Sequence, residues 1–182
     1  MRIVKQLALT LTLLALAAGL VDATTLQQLS MDEMIQKSTS VVRGRILGVS
    51  ATERAGDIFT VYQVRVLENL KGTAQPGQQI EISVPGGELR GVRQPVAGAP
   101  SFVTGDDYVL FLWKGRSGIN QVMGLSQGTY SVKQDGAGNQ VLLRPATTET
   151  MVDKNGALVK DAPSTMKLSE LRDRMQTTGA AR

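Results

Sequence analysis

Short stretches in which every second residue is apolar or small run through much of this 182-residue chain. From Val41 to Gly48 and again from Ile58 to Val66, the period is two, which is typical of half-buried β-strands. Turn residues separate these stretches at short intervals, as at Pro76-Gly77 and Asp135-Gly136. About six to eight short strands joined by such turns predict a single all-β domain, either a barrel or a sandwich.

Two of the predicted strands have patterns that indicate their local geometry and burial. The strand from Ile58 to Leu70 alternates regularly and then slips near Val66-Leu67, which predicts a β-bulge or a bend. The segment from Asp107 to Lys114 is almost continuously apolar and aromatic, which indicates a strand buried on both faces. Within that segment we expect Trp113 to lie in the core rather than on an exposed surface.

Short helices are predicted at both ends of the strand-rich region. Ser30 is a suitable N-cap, and Glu33 three residues later completes a capping box. Near the carboxyl end, Ser164 or Thr165 is placed to cap a helix over residues 166–176. We expect both helices to pack on the barrel and to cover an open edge or end.

The first 23 residues have the pattern of an export signal. Two basic residues precede a charge-free apolar run from Leu7 to Leu20, and Val21-Asp22-Ala23 fits a small-x-small cleavage site. The run is shorter than the about 20 residues of a membrane-spanning helix, and no second run of that length follows. We therefore expect a mature chain that begins at Thr24, has no membrane span, and is periplasmic or extracellular. Its expected divisions are a β-barrel domain with the first helix (24–146) and a polar segment with the last helix (147–182).

Cysteine and histidine are both absent from the sequence. Without cysteine the chain has no disulfide, thiol nucleophile or thiolate metal site. Without histidine it lacks the commonest general base and the commonest zinc ligand. These absences favour a protein that is not an enzyme and that carries no cofactor and no metal.

The charged residues indicate a solvated surface rather than a nucleic-acid or metal site. The formal net charge is +4, no basic run reaches five residues, and aromatic residues make up 4% of the chain, whereas nucleic-acid binding usually needs a dense basic face. Asp57 and the pair Asp106-Asp107 could supply oxygen ligands to a cation. Adjacent strand residues point to opposite faces, however, so we interpret these carboxylates as turn residues.

One hydrolase-like motif is present at Gly124–Gly128, where the sequence reads Gly-Leu-Ser-Gln-Gly. In hydrolases such a turn exposes a serine between a strand and a helix, and a histidine activates it. Here Ser126 lies between two predicted strands, so we interpret the motif as a turn. The remaining enzymatic alternative is a serine-dependent hydrolase in which Ser126 is paired with Lys114 or Lys133.

The order of strands and turns resembles the netrin-like family, which includes the tissue inhibitors of metalloproteinases, and also a group of uncharacterised exported bacterial proteins. The resemblance covers roughly residues 30–133 and is carried by a helix ending at Ser38-Thr39-Ser40 and by three segments. They are Val41 to Ile46, Val66 to Gly72, and Gly105 to Leu112. It implies a small OB-like Greek-key barrel with short N- and C-terminal helices.

The same resemblance implies an alternative function. Inhibitors in that family use an N-terminal cysteine whose amine and carbonyl reach the zinc of the protease. This chain has no cysteine, so an inhibitor-like protein would have to use the mature N-terminus at Thr24 and Thr25 instead.

The segment from residue 86 to 105 is the least regular part of the predicted barrel, with five glycines and two prolines. It is either a long functional or mobile loop or contains a short edge strand around residues 89–96. Cationic side chains beside glycines suit anionic or carbohydrate ligands, and an aromatic ring adds contact area. The candidate binding loop therefore consists of Gly86, Gly87, Arg90, Arg93 and Phe102.

These observations favour a non-enzymatic binding or accessory protein of the cell envelope or extracellular space. We expect its partner to be another exported protein or an envelope glycan, contacted through the loop and the adjacent face of the barrel. Neither the identity of that partner nor the oligomeric state is encoded in a recognisable sequence pattern.

Overall fold

The computed structural model describes residues 25–115 and 118–180 of the chain. The predicted export signal (1–23) and Thr24 lie outside the described residues. The helices are α1 (Met31–Lys37) and α2 (Leu168–Ala180). The strands are β1 (Thr25–Gln27), β2 (Ser40–Arg54), β3 (Asp57–Lys71), β4 (Gln79–Pro85), β5 (Gly87–Leu89), β6 (Val92–Gln94), β7 (Asp107–Lys114), β8 (Asn120–Val122), β9 (Thr129–Gln134), β10 (Gln140–Arg144), β11 (Thr150–Val152), β12 (Leu158–Val159) and β13 (Ser164–Lys167).

Five of these strands close into a barrel. They pair in the order β7-β2-β3-β4-β8, and β8 pairs back onto β7. The β4–β8 pairing is parallel, and the other four are antiparallel. The predicted all-β, OB-like Greek-key barrel with a short helix near each end is confirmed.

The remaining strands extend this barrel. The first half of β7 pairs with β9 instead of β8, and β9, β10 and β13 continue the sheet away from the barrel. A small separate sheet joins β1, β11 and β12. The strands β5 and β6 form a hairpin of their own.

Residues of β2 and β7 are buried on both faces, and each face contributes to a different apolar cluster. Val42 and Leu110 point into the barrel, where they meet Val64 and Ile82. Their neighbours point outward under the two helices, in a cluster formed by Met34, Ile35, Val41, Val109, Phe111, Tyr130, Leu142, Leu168 and Leu171. Alternation along a strand explains how consecutive apolar residues supply two clusters.

Local signals place α1 where the sequence predicts it. The Ser30 hydroxyl accepts a hydrogen bond from the Glu33 amide at 3.2 Å, and the Glu33 carboxylate accepts one from the Ser30 amide at 2.9 Å. This capping box is the predicted one. At the other end of α1, the Lys71 ammonium donates hydrogen bonds to carbonyl oxygens of the last turn, including that of Ser38 at 2.7 Å. A cation at this end also complements the helix dipole.

Three further predictions have clear outcomes. The slip near Leu67 is confirmed, because Arg43 pairs with Glu68 while Gly44 pairs with Val66. Trp113 is not in the core: it is 36% exposed, because β7 runs beyond the cover of the buried clusters at its last two residues. The final helix begins at Leu168 rather than 166, and the expected capping residues lie instead in β13, which pairs with β10.

Candidate functional site

The candidate binding loop, for which both a long loop and a short edge strand around residues 89–96 were expected, contains the β5–β6 hairpin, which forms a two-stranded sheet separate from that of the barrel. Its base is fixed to the start of β3 by several hydrogen bonds. The Gln94 amide accepts one from the Ile58 backbone at 2.7 Å and donates one to Asp57 at 3.1 Å. Gly86 donates to the Ile58 carbonyl at 2.8 Å, and its own carbonyl accepts from the Thr60 hydroxyl at 2.9 Å. The hairpin is therefore held in one orientation on the barrel.

Glycine is required at the base of this hairpin. Gly87 has φ of 135°, and an added Cβ there would lie 2.4 Å from the Thr60 hydroxyl oxygen. At Gly86 the φ is 86°, and a Cβ would lie 2.7 Å from a backbone carbonyl oxygen. The two predicted glycines therefore position the hairpin, since no other residue could approach the barrel so closely.

The tip of the hairpin projects charged and aliphatic side chains into solvent. We define the hairpin tip as residues 88–93. Arg90 and Gly91 both have positive φ and form the tight turn that suits a two-residue hairpin. Val92 is 62% exposed, and neither Arg90 nor Arg93 forms an ion pair with any other described residue.

Phe102, the fifth residue of the candidate loop, is not at the hairpin tip. It is only 9% exposed and belongs to the cluster inside the barrel. Its ring packs edge-on against Tyr62 and Tyr108, with centroids 4.8 and 5.1 Å apart. The structure therefore separates the predicted set: Gly86 and Gly87 position the hairpin, the two arginines are exposed, and Phe102 fills one end of the barrel.

The opposite end of the barrel is open, and we call this region the barrel mouth. It is a cavity of about 260 Å³ lined by Thr39, Ser40, Thr73, Ala74, Gln78, Ile80, Leu112, Lys114 and Asn120. Ser40 pairs with Leu112, and Lys114 pairs with Asn120, so these four side chains all face the inside of the barrel. Sequence reasoning missed this site because its residues lie at the ends of different strands, far apart along the chain.

One polar atom of the barrel mouth has no partner. The Ser40 hydroxyl oxygen is buried and forms no hydrogen bond with the described residues. Gly72 packs against the backbone here: this residue has φ of 99°, and a Cβ there would lie 3.0 Å from the Thr39 carbonyl oxygen and 3.2 Å from the Ser40 Cα. A buried polar group without a partner is uncommon in folded proteins and calls for a reason.

Ser126 forms no hydrogen bond with Lys114 or Lys133, the two lysines considered as its partners. It lies in a single 3-10 turn (Leu125–Gly128) between β8 and β9, and its hydroxyl is buried without a hydrogen bond among the described residues. Lys133 pairs with Asp106 at 3.1 Å, while Lys114 lines the barrel mouth. Next to Ser126 is a shallow cavity of about 280 Å³ lined by Gly98, Ala99, Thr129, Pro145, Ala146, Thr147, Thr148 and Glu149.

A third cavity, of about 250 Å³, lies between α1, β9 and the C-terminal segment. Its polar wall is an ion pair between Arg144 and Asp161, with oxygen–nitrogen distances of 2.6 and 3.0 Å. Asp161 is only 4% exposed and also accepts a hydrogen bond from the Thr147 amide at 2.8 Å. The hydrogen bonds from Arg144 lower the pKa of the Asp161 carboxyl against the opposing effect of burial.

The carboxylates considered as cation ligands are engaged with other groups. Asp107 accepts hydrogen bonds from Arg43 at 2.9 Å and from Arg45 at 2.7 Å. Partial burial raises the pKa of Asp107, but the two arginines together outweigh it and lower the pKa below its usual range. Asp57 accepts from Gln94 at the base of the β5–β6 hairpin. Asp106 forms an ion pair with Lys133 at 3.1 Å. These contacts give the three carboxylates structural roles.

Thr25, the described residue of the alternative inhibitory N-terminus, is the first residue of β1. It is exposed and pairs in parallel with Thr150 of β11. The chain at this point is therefore held by a small sheet rather than by a disulfide. Thr24 lies outside the described residues.

Comparison with known proteins gives no relative from which a function could be transferred: no family model matches this chain, and no curated protein matches it either. Within residues 25–115 and 118–180, none of the helices has the length and apolar character needed to cross a membrane. The same residues contain no group of three or more histidine, cysteine, aspartate or glutamate side chains placed to hold a metal ion. A function for this chain therefore has to be proposed from its own surfaces and cavities.

Proposed function

We propose that this chain is an exported, non-enzymatic binding protein that contacts a protein partner through the hairpin tip. The observation that carries the proposal is the combination of Arg90, Arg93 and the exposed Val92 on a hairpin that is fixed to the barrel at its base. Arginine is enriched at protein interfaces, where it joins charge to a large contact area. Export is supported by the signal-like pattern of residues 1–23.

Preorganisation supports a binding role for the hairpin tip. When a partner binds a flexible loop, each residue that becomes ordered loses conformational entropy, which weakens the binding. Here the tight turn at Arg90-Gly91 and the hydrogen bonds of Gln94 order the hairpin before any partner arrives. The hairpin tip therefore has its binding conformation before the partner binds.

The chemistry of the tip favours a partner with carboxylates beside an apolar patch. Each arginine can form charge-assisted hydrogen bonds with a carboxylate, and Val92 offers a small aliphatic contact. Carbohydrate recognition needs an apolar surface under the sugar ring, and the side chain expected to provide it at the tip, Phe102, is inside the barrel. A protein partner is thus favoured over an envelope glycan.

The test is a capture experiment with the mature chain, beginning at Thr24, against proteins exported by its host. Three baits are compared: the native chain, the charge reversal Arg90→Glu/Arg93→Glu, and a matched reversal Lys154→Glu/Lys160→Glu on an exposed region away from the hairpin. Bound proteins are quantified by mass spectrometry. We expect one or a few proteins that bind the native and control baits and are lost, about tenfold or more, from the hairpin variant, because two charged contacts are reversed.

Two outcomes would contradict the proposal. Equal capture by all three baits would exclude the hairpin tip as the contact surface. If no exported protein binds the native chain, while purified envelope glycan does, the partner is not a protein.

A further inference from the structure

We infer that the barrel mouth binds a small anion that also carries hydroxyl groups, such as a sugar acid or a hydroxy acid. This inference goes beyond the proposed contact at the hairpin tip, because it concerns the opposite end of the barrel and a different class of ligand. It rests on the composition of the cavity wall, on one unpartnered hydroxyl, and on the size of the cavity.

The wall of the barrel mouth combines one cation with neutral hydrogen-bonding groups. Lys114 supplies the charge, and it has no ion pair with any other described residue. The described lining contains no aspartate or glutamate that could neutralise it. The hydroxyls and amides come from Thr39, Ser40, Thr73, Gln78 and Asn120. Thr39 and Asn120 each donate one hydrogen bond to a backbone carbonyl and the Gln78 oxygen accepts one from the Gln75 amide, so the remaining donors and acceptors of these side chains are the ones a ligand would use. Such a wall suits a ligand with one negative charge and several hydroxyl groups.

The floor of the mouth is apolar and comes from the barrel interior. Ile80 and Leu112 line the cavity from below, and Leu112 belongs to the buried cluster of the barrel. An apolar floor under polar walls matches the two sides of a sugar ring, which has C–H groups on its faces and hydroxyls around its rim. Mouths of β-barrels are also among the places where small ligands commonly bind.

The Ser40 hydroxyl is one of six buried polar side-chain atoms without a partner among the described residues, and it is the one whose residue both lines the mouth and faces the inside of the barrel. Its oxygen is buried without a hydrogen bond among the described residues, although it faces the inside of the barrel beside Leu112. A hydroxyl can both donate and accept, so rotation of the Ser40 side chain toward the mouth would let a hydroxyl of a ligand satisfy it. A buried hydroxyl without a hydrogen bond destabilises the folded state.

The size of the mouth restricts the ligand. Its volume of about 260 Å³ is just below the ~300–1,000 Å³ of pockets for drug-sized ligands. A ligand of about one sugar ring fits this volume, whereas an oligosaccharide or a peptide would have to extend outside it.

The test is a calorimetric titration of the mature chain with D-glucuronate as the probe. D-glucose has the same ring without the charge, and acetate has the charge without the hydroxyls, so both serve as ligand controls. We expect glucuronate to bind with a Kd of about 1 mM or below. Glucose and acetate should bind about tenfold or more weakly, because each lacks one of the two recognised features.

Substitutions in the wall of the barrel mouth test whether glucuronate binds there. Lys114→Met should weaken glucuronate binding by about tenfold or more, since it removes the charged donor. Thr73→Asp, which places a carboxylate in the exposed part of the wall, should weaken it by a similar factor. Lys154→Met removes an exposed lysine from a distant turn and should leave the affinity unchanged.

The proposal is overturned by any of three results. One is the absence of saturable glucuronate binding at about 10 mM probe. Another is binding that survives both Lys114→Met and Thr73→Asp. A third is equal affinity for glucose and glucuronate, which would mean that the anion is not recognised. A failure to capture a protein partner through the hairpin tip would not affect glucuronate binding at the mouth. The two proposals can therefore be rejected independently.

Discussion

The two ends of the barrel are built from the same five strands but are closed in different ways. At the end where β4 finishes and β7 begins, Phe102 enters from the loop after the β5–β6 hairpin and packs edge-on against Tyr62 and Tyr108. At the other end no ring enters the barrel among the described residues. Thr39, Ser40, Lys114 and Asn120 surround a cavity there instead.

The difference suggests that the closed end contributes mainly to stability and the mouth mainly to ligand binding. An aromatic residue that fills a barrel end adds buried apolar area and edge-to-face contacts, which stabilise the fold. A mouth lined by hydroxyls, amides and one lysine adds little buried apolar area, and its side chains keep donors and acceptors that bind no other described residue. We therefore expect substitutions at the closed end to change stability and those at the mouth to change affinity.

The largest expected effect is at the closed end. Phe102→Ala should lower the free energy of unfolding by about 3–5 kcal/mol, because it leaves a cavity among the packed rings. Urea denaturation followed by circular dichroism measures this. The neighbouring Val103→Ala is the control: Val103 is exposed, so the change should stay within about 0.5 kcal/mol. Equal effects of the two substitutions would contradict the assignment of Phe102 as the closing residue.

A smaller effect is expected where the helices cover the outside of the sheet, a region that belongs to neither end. Asp161→Asn should cost about 3 kcal/mol at neutral pH, because it leaves Arg144 buried without its ionic partner. The folded-state pKa of Asp161 is lowered, so the ion pair stabilises the fold above a pH of about 4 and this contribution is lost as the pH falls below it.

Unfolding measured from pH 7 down to pH 3 checks this sign. The native chain should lose stability below a pH of about 4, and the Asn variant should lose less over the same interval. Parallel curves for the two proteins would show that Asp161 contributes nothing to the pH dependence.

Just outside the barrel mouth, Lys71 holds the last turn of α1. Lys71→Met should lower the free energy of unfolding by about 1–3 kcal/mol, because carbonyl oxygens of that turn lose a charged donor. Lys154→Met, at an exposed turn, is the matched control. Thermal unfolding of the two variants should differ clearly, and identical midpoints would mean that the contact is not stabilising.

The smallest stability effect is expected inside the mouth. Ser40→Ala removes a hydroxyl that has no hydrogen-bond partner among the described residues, so the free energy of unfolding should change by only about 0.5 kcal/mol, in the stabilising direction. Affinity for glucuronate should nevertheless fall by about threefold, because a hydrogen bond to the ligand is lost. A large loss of stability would contradict the view that the mouth is not built for stability.

Local patterns predicted the parts of the fold that depend on local physics. The capping box at Ser30 and Glu33, the strand period at Val41 and Val42, and the slip at Leu67 each follow from a few neighbouring residues. The strand β13 escaped prediction because it is only four residues long and mostly polar, and its pairing with β10 is a tertiary contact. The prediction for Trp113 was wrong because its exposure depends on where the cover of the buried clusters ends along β7, which is a tertiary property.

The candidate site was predicted in part, for the same reason. Glycines and arginines near residues 86–93 mark a turn and an exposed surface in the sequence itself. Phe102 has the same sequence context, and only the closure of the barrel puts its ring inside. The barrel mouth had no sequence signal, because Ser40 and Lys114 become neighbours through strand pairing rather than through spacing.

The most direct test of the difference between the two ends is a residue-by-residue map of ligand contact. Amide nitrogen–proton NMR spectra of the mature chain would be recorded with increasing D-glucuronate. We predict that the largest shift changes fall at Thr39, Ser40, Thr73 and Asn120, while amides around Phe102 and Tyr108 stay unchanged. Changes centred on the closed end, or spread evenly over the surface, would contradict the account.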